Sequence, residues 1–354
     1  MNWYLDTGEN SDIVTSTRIR FARNLSNYRF NRKMTSKEAE NMILEIENII
    51  PSLGYGLKLL KLKDIDDITK LTLVEKHLIS PEFAFKNELE SAIIINEEEN
   101  ICIMVNEEDH LRIQVFSSGF NLENLINLGI ELDEKLGKLL SYAINEKYGF
   151  LTSCPTNVGT GMRASVMIDL PALSKTGNIN KILDIINNFG MNIRGLYGEN
   201  SKIQGNMYQI SNKQSLGLTE EEIIKKLKSI TEKVIEQERL ARSFLGKNTL
   251  ELEDKVYRNY GILINARKIS SEEAINLLSN VKLGVHMGII KEITDLQIKK
   301  LELYIKPANL QKYFGKMLDE YERDVKRAEL IKIILKEWII WYINLQIVRK
   351  MLSK

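Results

Sequence analysis

The chain has 354 residues, of which 44% are hydrophobic and 27% charged, enough for two domains that each bury a core. Lys+Arg 49 against Asp+Glu 48 leaves a formal charge of +1, so no global field draws in nucleic acid or a membrane. Two cysteines, Cys102 and Cys154, are too few for a disulfide framework or a structural zinc site, and fit a reducing cytoplasm.

The opening MNWYLDTGENSDIV lacks the basic and apolar regions of a secretory signal. Ser16-Thr-Arg-Ile-Arg20 reads as extended, with Arg18 and Arg20 on one face. Thr35-Ser-Lys-Glu38 is a capping box ahead of Met42, Ile43, Ile46 and Ile49, and Pro51 and Gly54 are expected to stop that helix. Ala92–Ile95 and Ile101–Val105 read as strands around a polar turn, and His110–Phe116 alternates as a half-buried strand. Leu132–Tyr148 has helical spacing, Arg163–Leu170 alternates, Ile179–Phe189 is helical, and Met191–Leu196 and Met207–Ile210 are strands. Thr219-Glu-Glu-Glu222 opens an amphipathic helix to about Phe244.

From Thr249 the pattern changes to short helices, at Leu250–Tyr260, Ser271–Val281, Thr294–Tyr304, Ala308–Phe314 and Asp319–Leu335. The spacing predicts an α+β domain over 1–246 and an all-helical one over 250–354. The apolar tail Trp338–Val348 is interrupted by Asn344 and Gln346 and falls short of the roughly 18 residues of a membrane span. It is expected to pack on the helical domain or across a dimer.

Familiar chemistries are absent. There is no GxxxxGK[ST] phosphate loop, Gly159-Thr-Gly161 lacks the third glycine of a dinucleotide fingerprint, and the protein-kinase motifs do not occur. His77, His110 and His286 have no metal-ligand spacing, and no hydrolase triad forms around Cys154. What stands out is a set of arginines, Arg18, Arg20, Arg112, Arg163 and Arg194, on strands or beside glycine-rich turns. An arginine fork binds phosphate oxygens in pairs, so five converging would neutralise a triphosphate without a phosphate loop. Periodicity alone does not make them converge. Nor does it separate Glu108, in Asn106-Glu-Glu-Asp109, or Glu199, after Gly198, from solvated turn residues.

Four longer stretches change this: STRIR (Ser16–Arg20), NEEDHLRIQ (Asn106–Gln114), CPTNVGTGMRAS (Cys154–Ser165) and RGLYGE (Arg194–Glu199). In order and spacing they resemble the guanidino (phosphagen) kinases. The resemblance implies an antiparallel sheet flanked by helices, ATP with Mg²⁺ held mainly by phosphates and water, and transfer of the γ-phosphate to a guanidino group. It places ATP on Ser16, Thr17, Arg18, Ile19 and Arg20, on His77 and Arg112, on Arg163, Ala164, Ser165, Val166 and Met167, and on Arg194, Gly195, Leu196, Tyr197, Gly198 and Glu199. Glu108 and Glu199 are its catalytic carboxylates, with Cys154 as a substrate contact. No protein metal ligand is implied.

STRIR stands so near the chain start that the small helical domain preceding it in free-guanidine kinases is expected to be missing. With the helical second domain, this looks like the bacterial branch that phosphorylates arginine side chains of proteins. Arg323-Asp324-Val325-Lys326-Arg327-Ala328 resembles that branch's RDxxRA motif, a phosphoarginine-binding allosteric element. The branch further implies a cytoplasmic stress-response enzyme that marks proteins for an AAA+ chaperone–protease, an activator protein with zinc-binding modules, and a homo-oligomer, dimeric or higher. The competing readings are a kinase for free arginine and a catalytically weak phosphoarginine-binding adaptor.

Overall fold

The computed structural model describes residues 2–86, 88–195 and 205–352, with backbone alone from residue 337 onward. The strands are β1 (Val14–Arg23), β2 (Lys58–Lys61), β3 (Ala92–Ile95), β4 (Ile101–Val105), β5 (Leu111–Ser118), β6 (Ile144–Asn145), β7 (Gly149–Phe150), β8 (Met162–Asp169), β9 (Met191–Gly195) and β10 (Met207–Asn212). β6 and β7 make a small hairpin; the others form one antiparallel sheet in the order β2-β3-β4-β5-β1-β8-β10-β9. The long strands alternate. Thr17, Ile19 and Phe21 of β1, Ile113 and Val115 of β5, and Ala164 and Val166 of β8 are buried on one face. Ser16, Arg18, Arg20, Arg112 and Arg163 stand on the other.

The helices before residue 246 are α1 (Ser36–Leu53), α2 (Asp67–Glu75), α3 (Pro81–Ala84), α4 (Leu122–Leu139), α5 (Pro171–Lys175), α6 (Ile179–Asn188) and α7 (Glu220–Leu245). α1, α4 and α7 lay their apolar stripes on the core face of the sheet. The capping boxes at Thr35 and Thr219 form, each hydroxyl accepting from the N–H of the glutamate three residues on. Pro51 does not stop α1. It sits in the last turn, where the missing N–H costs one hydrogen bond, and Gly54 at φ 79° ends the helix. The helix expected over Leu132–Tyr148 instead starts at Leu122, because Leu122, Leu125, Ile126 and Gly129 already face the core, and it gives way to β6 after Leu139.

α8 (Thr249–Asn265), α9 (Ser271–His286), α10 (Asp295–Tyr304), α11 (Pro307–Phe314) and α12 (Glu320–Leu352) surround a second core of Val256, Leu278, Val281, Ile298, Leu301, Leu310 and Ile331, among others. No helix among the described residues is long and apolar enough to cross a membrane. The expected packing of the tail lies outside the described side chains.

The helical region docks through polar contacts. The Glu75 carboxylate accepts from the backbone N–H groups of Ala308 and Asn309, both at 2.8 Å, and from Asn309 Nδ2 at 2.7 Å, capping α11. Buried Lys282 lies 3.3 Å from Asp169 and 2.7 Å from Glu302.

Candidate active site

Antiparallel register gathers the arginines. Arg20 is opposite Arg163 on β8, Arg18 is opposite Ser165, and Arg112 is opposite Ala22, two residues along β1 from Arg20. Arg194 lies farther out, opposite Gln209, which is itself opposite Met167. Facing strands stand about 4.5–5.5 Å apart at Cα, so like charges on one face crowd each other. Burial and the charges of Arg112 and Arg163 press Arg18 down to about 9. Burial, then Arg18, Arg112 and Arg163, press Arg20 well below the ordinary guanidinium value, against the opposing pull of Glu107. Arg20 Nε is buried with no hydrogen-bond partner among the described residues. With Arg112 paired to Glu107 and the other guanidinium groups gathered on the same face, the surface fits a polyanion. Thr17, Ile19, Ala164 and Val166 point their side chains into the core, leaving their backbone and neighbours to face the cleft.

The turn between β4 and β5 carries the carboxylates. Asn106 adopts φ 63° and its N–H donates to the His110 carbonyl, which closes the turn. Glu107 accepts from Arg112 Nη1 at 2.8 Å and from Ser80 Oγ at 2.9 Å. Burial alone would raise the Glu107 carboxyl, but Arg112 and these donors hold it below its usual range. Glu108 is exposed at the tip, and partial desolvation with the charges of Asp109 and Glu107 raises its carboxyl. Asp109 is buried, accepting from Asn24 Nδ2 and from the Ser153 N–H, both at 2.6 Å. Glu107, Glu108, Arg20, Arg112 and Arg163 line one cleft of ≈ 160 Å³.

Asp109 thereby ties the loop bearing Cys154 to the carboxylate turn. Cys154 is half-buried, its Sγ 3.0 Å from Thr156 Oγ1. Arg23, on the core side of β1, holds the far end of that loop. Its guanidinium is fully buried, bonds Asp133 of α4 at 2.6 Å through Nη2, donates to the Thr160 carbonyl at 2.9 Å and stacks 3.5 Å above the Phe150 ring. Gly161 at φ 64° passes so close that a Cβ would lie 2.4 Å from Arg23 Nη1. Sequence reading did not single out Arg23, Asn24, Ser80 or Asp109; only the place of Asp109 within NEEDHLR marked it.

His77 follows α2 with φ 62°, and burial with the charges of Lys306 and Arg18 holds its imidazole neutral. It borders a pocket of ≈ 50 Å³ with Ser16, Arg18, Ser165, Met167 and Gln209. Leu196, Tyr197, Gly198 and Glu199 lie outside the described residues; Arg194 and Gly195 end β9.

RDVKRA lies on α12, and none of its residues lines the cleft of Glu107 and Glu108. Arg327 is buried, its Nε donating to the Ile305 carbonyl at 2.8 Å and its Nη1 to the Ile269 carbonyl at 2.9 Å and to Asp324 at 2.7 Å. Ala328 is packed in the second core, while Lys326 pairs with Glu329 at the surface. Arg323 is only half-buried and donates to the Leu318 carbonyl at 2.9 Å. Val325 is half-buried beside it.

Residues 39–241 match the family described as ATP:guanido phosphotransferase, C-terminal catalytic domain. Residues 249–339 match the protein-arginine kinase McsB C-terminal domain. A protein-arginine kinase of Halothermothrix orenii is 47% identical over 333 residues, 94% of this chain and 95% of that protein. Another, of Clostridium tetani, is 44% identical over 339 residues, 96% and 99% of the two. A lombricine kinase structure superposes with a TM-score of 0.57 at 25% identity, covering 68% of this chain and 71% of that one. The duplicated taurocyamine kinase of Schistosoma mansoni with transition-state analogue components gives 0.56 at 28% identity, over 64% of this chain and only 33% of that longer one. The sheet and its arginine-bearing face are thus those of an ATP:guanido phosphotransferase, the family to which this chain belongs. Within that family it falls among the bacterial protein-arginine kinases.

Proposed function

We propose that the protein transfers the γ-phosphate of ATP to arginine side chains of proteins, with residues 1–246 performing the transfer and residues 250–354 regulating it. The observation that carries this reading is the cleft itself: arginines from three neighbouring strands face a turn whose exposed glutamate has a raised carboxyl. The arginines lie along the ATP phosphates, and Mg²⁺ arriving with the nucleotide supplies further charge neutralisation through phosphates and water. Phosphoryl transfer then needs mostly position and charge stabilisation, which fixed guanidinium groups provide.

The acceptor sets the harder problem. A guanidinium stays protonated at neutral pH and has no free lone pair for attack. Glu108 takes one N–H proton as that nitrogen attacks phosphorus; the N–P bond forms, the bond from phosphorus to the β–γ bridging oxygen breaks, and ADP leaves. Glu199 holds the other side of the guanidinium by family likeness, and Cys154 orients it. Cationic Arg323 on the surface of α12 receives the phosphate of a phosphoarginine, and Arg327, committed to main-chain carbonyls, keeps that helix in place. The cytoplasmic stress-response setting, the AAA+ protease, the zinc-module activator and self-assembly belong to the same proposal.

The test is incubation with ATP and an arginine-rich protein, analysed by mass spectrometry without acid, which would break the P–N bond. Phosphate on protein arginine is expected, with Glu108→Gln lowering kcat by about 10²–10⁴-fold at unchanged ATP affinity. Phosphate only on serine or threonine, or only on free arginine, would refute the reading. For regulation, added phosphoarginine should stimulate the wild type and not Arg323→Ala.

A further inference from the structure

A cavity of ≈ 150 Å³ lies between the arginine face of the sheet and the helical region, and it continues into the small pocket beside Arg18. Trp3, Ser16, His77 and Met167 line both spaces. Ile305 and Lys306, between α10 and α11, form part of the far wall. A water takes about 30 Å³, so this space suits a ring system better than one or two waters.

Lys306 is aimed here by its surroundings. Its Nζ donates to the Glu75 carbonyl oxygen at 2.7 Å, leaving two of its ammonium donors without a partner among the described residues. The backbone on its N-terminal side is fixed by the Arg327 bond to the Ile305 carbonyl, and on its C-terminal side by the Glu75 cap on α11. Its charge is felt by His77, as is that of Arg18, so both cations stand near the same imidazole.

A nucleotide with its phosphates on Arg112, Arg20, Arg163 and Arg18 must lead its ribose and base off one end of that row. The carboxylate turn occupies the Arg112 end, and the cavity opens at the Arg18 end. We propose that Lys306, from the helical region, is a positioning residue for the ribose and base of ATP, so that the nucleotide site is shared between the two halves of the chain. This rests on the reading that the arginine row holds the phosphates of ATP.

Inorganic tripolyphosphate, which has no base or ribose, separates the two ideas. Calorimetry on the full chain should show Lys306→Met weakening ATP about tenfold, with tripolyphosphate unaffected, because a charge-assisted contact at the base end is lost. Lys306→Arg should recover most of that loss. Unchanged ATP affinity in Lys306→Met would overturn the proposal. So would an equal loss of both ligands, which would make Lys306 a prop for the whole cleft. Arg20→Gln should weaken both ligands; if it weakened neither, the phosphate row itself would be wrong and this inference would fall with it. Should Lys306→Met not fold, amine labelling of the wild type decides: ATP should protect Lys306 from acylation and tripolyphosphate should not. Equal labelling with and without ATP would refute the assignment.

Discussion

Glu75→Ala removes the acceptor for two backbone N–H groups and one side-chain amide at the start of α11. Loss of a helix N-cap costs about 0.5–2 kcal/mol, and hydrogen bonds to a charged group contribute about 1.5–3 kcal/mol each. Water can re-solvate part of an opened helix end, so the three bonds are not additive, and a total on the order of 3 kcal/mol is expected. For a domain of this size about 1 kcal/mol moves Tm by 2–4 °C, so a drop of roughly 6–12 °C should appear in a thermal melt. Hydrogen exchange measured by mass spectrometry should locate the loss. Amides of α11 and of the end of α2 should exchange faster, while the central strands keep their protection. Glu75→Gln retains one acceptor oxygen and should lie between the two. A melt within 1 °C of wild type with unchanged α11 exchange would show that the contact contributes nothing to docking.

Other outcomes follow from the same geometry. Arg20→Gln should weaken ATP binding by about 1.5–3 kcal/mol, roughly ten- to 150-fold in Kd, read by calorimetry at fixed salt. Glu108 must be ionised to accept a proton and its carboxyl is raised, so kcat should climb with pH through a limb above the ordinary glutamate range and fall as Glu108 protonates below it. A pH–rate profile on an arginine-bearing protein should lose that limb in Glu108→Gln. Asp133→Asn leaves Arg23 buried without its counter-charge and should cost about 3–5 kcal/mol in denaturant unfolding. Asp295 is pushed up by burial but held down to about 2 by His286 and Lys299, so its stabilising contribution is present above about pH 4 and lost towards pH 2. Acid unfolding of Asp295→Asn should lack that part of the decline.

The long elements were legible where one side of the pattern is buried. β5 and β8 alternate polar and apolar residues over eight positions, β4 is a continuous apolar run buried throughout, and both capping boxes carry their own signature. β2 and α3 escaped because four residues hold too little period to stand out. The start of α4 was missed because Asn121 makes no side-chain cap there. In the site, alternation put Arg18 and Arg20 on one face, but only strand pairing brought Arg163 and Arg112 beside them. Arg23 looked like one more basic residue of the same strand. Its odd position turns it into the core, and its partner Asp133 is 110 residues away, beyond any local pattern. His77 could be named from the resemblance, but its proximity to Lys306 depends on two helices that are distant in sequence.

Arg18, Arg20, Arg112 and Arg163 stand on β1, β5 and β8, three adjacent strands bonded on both edges in the middle of the sheet, whereas Glu108 stands at the tip of a hairpin turn. Central strands open only with the whole domain, while a turn can open on its own at much lower free energy. Mild heat or denaturant should therefore silence phosphoryl transfer before it releases ATP. The enzyme would pass through a loaded but idle form, in which a scarce nucleotide stays in place while the acceptor end regains its shape.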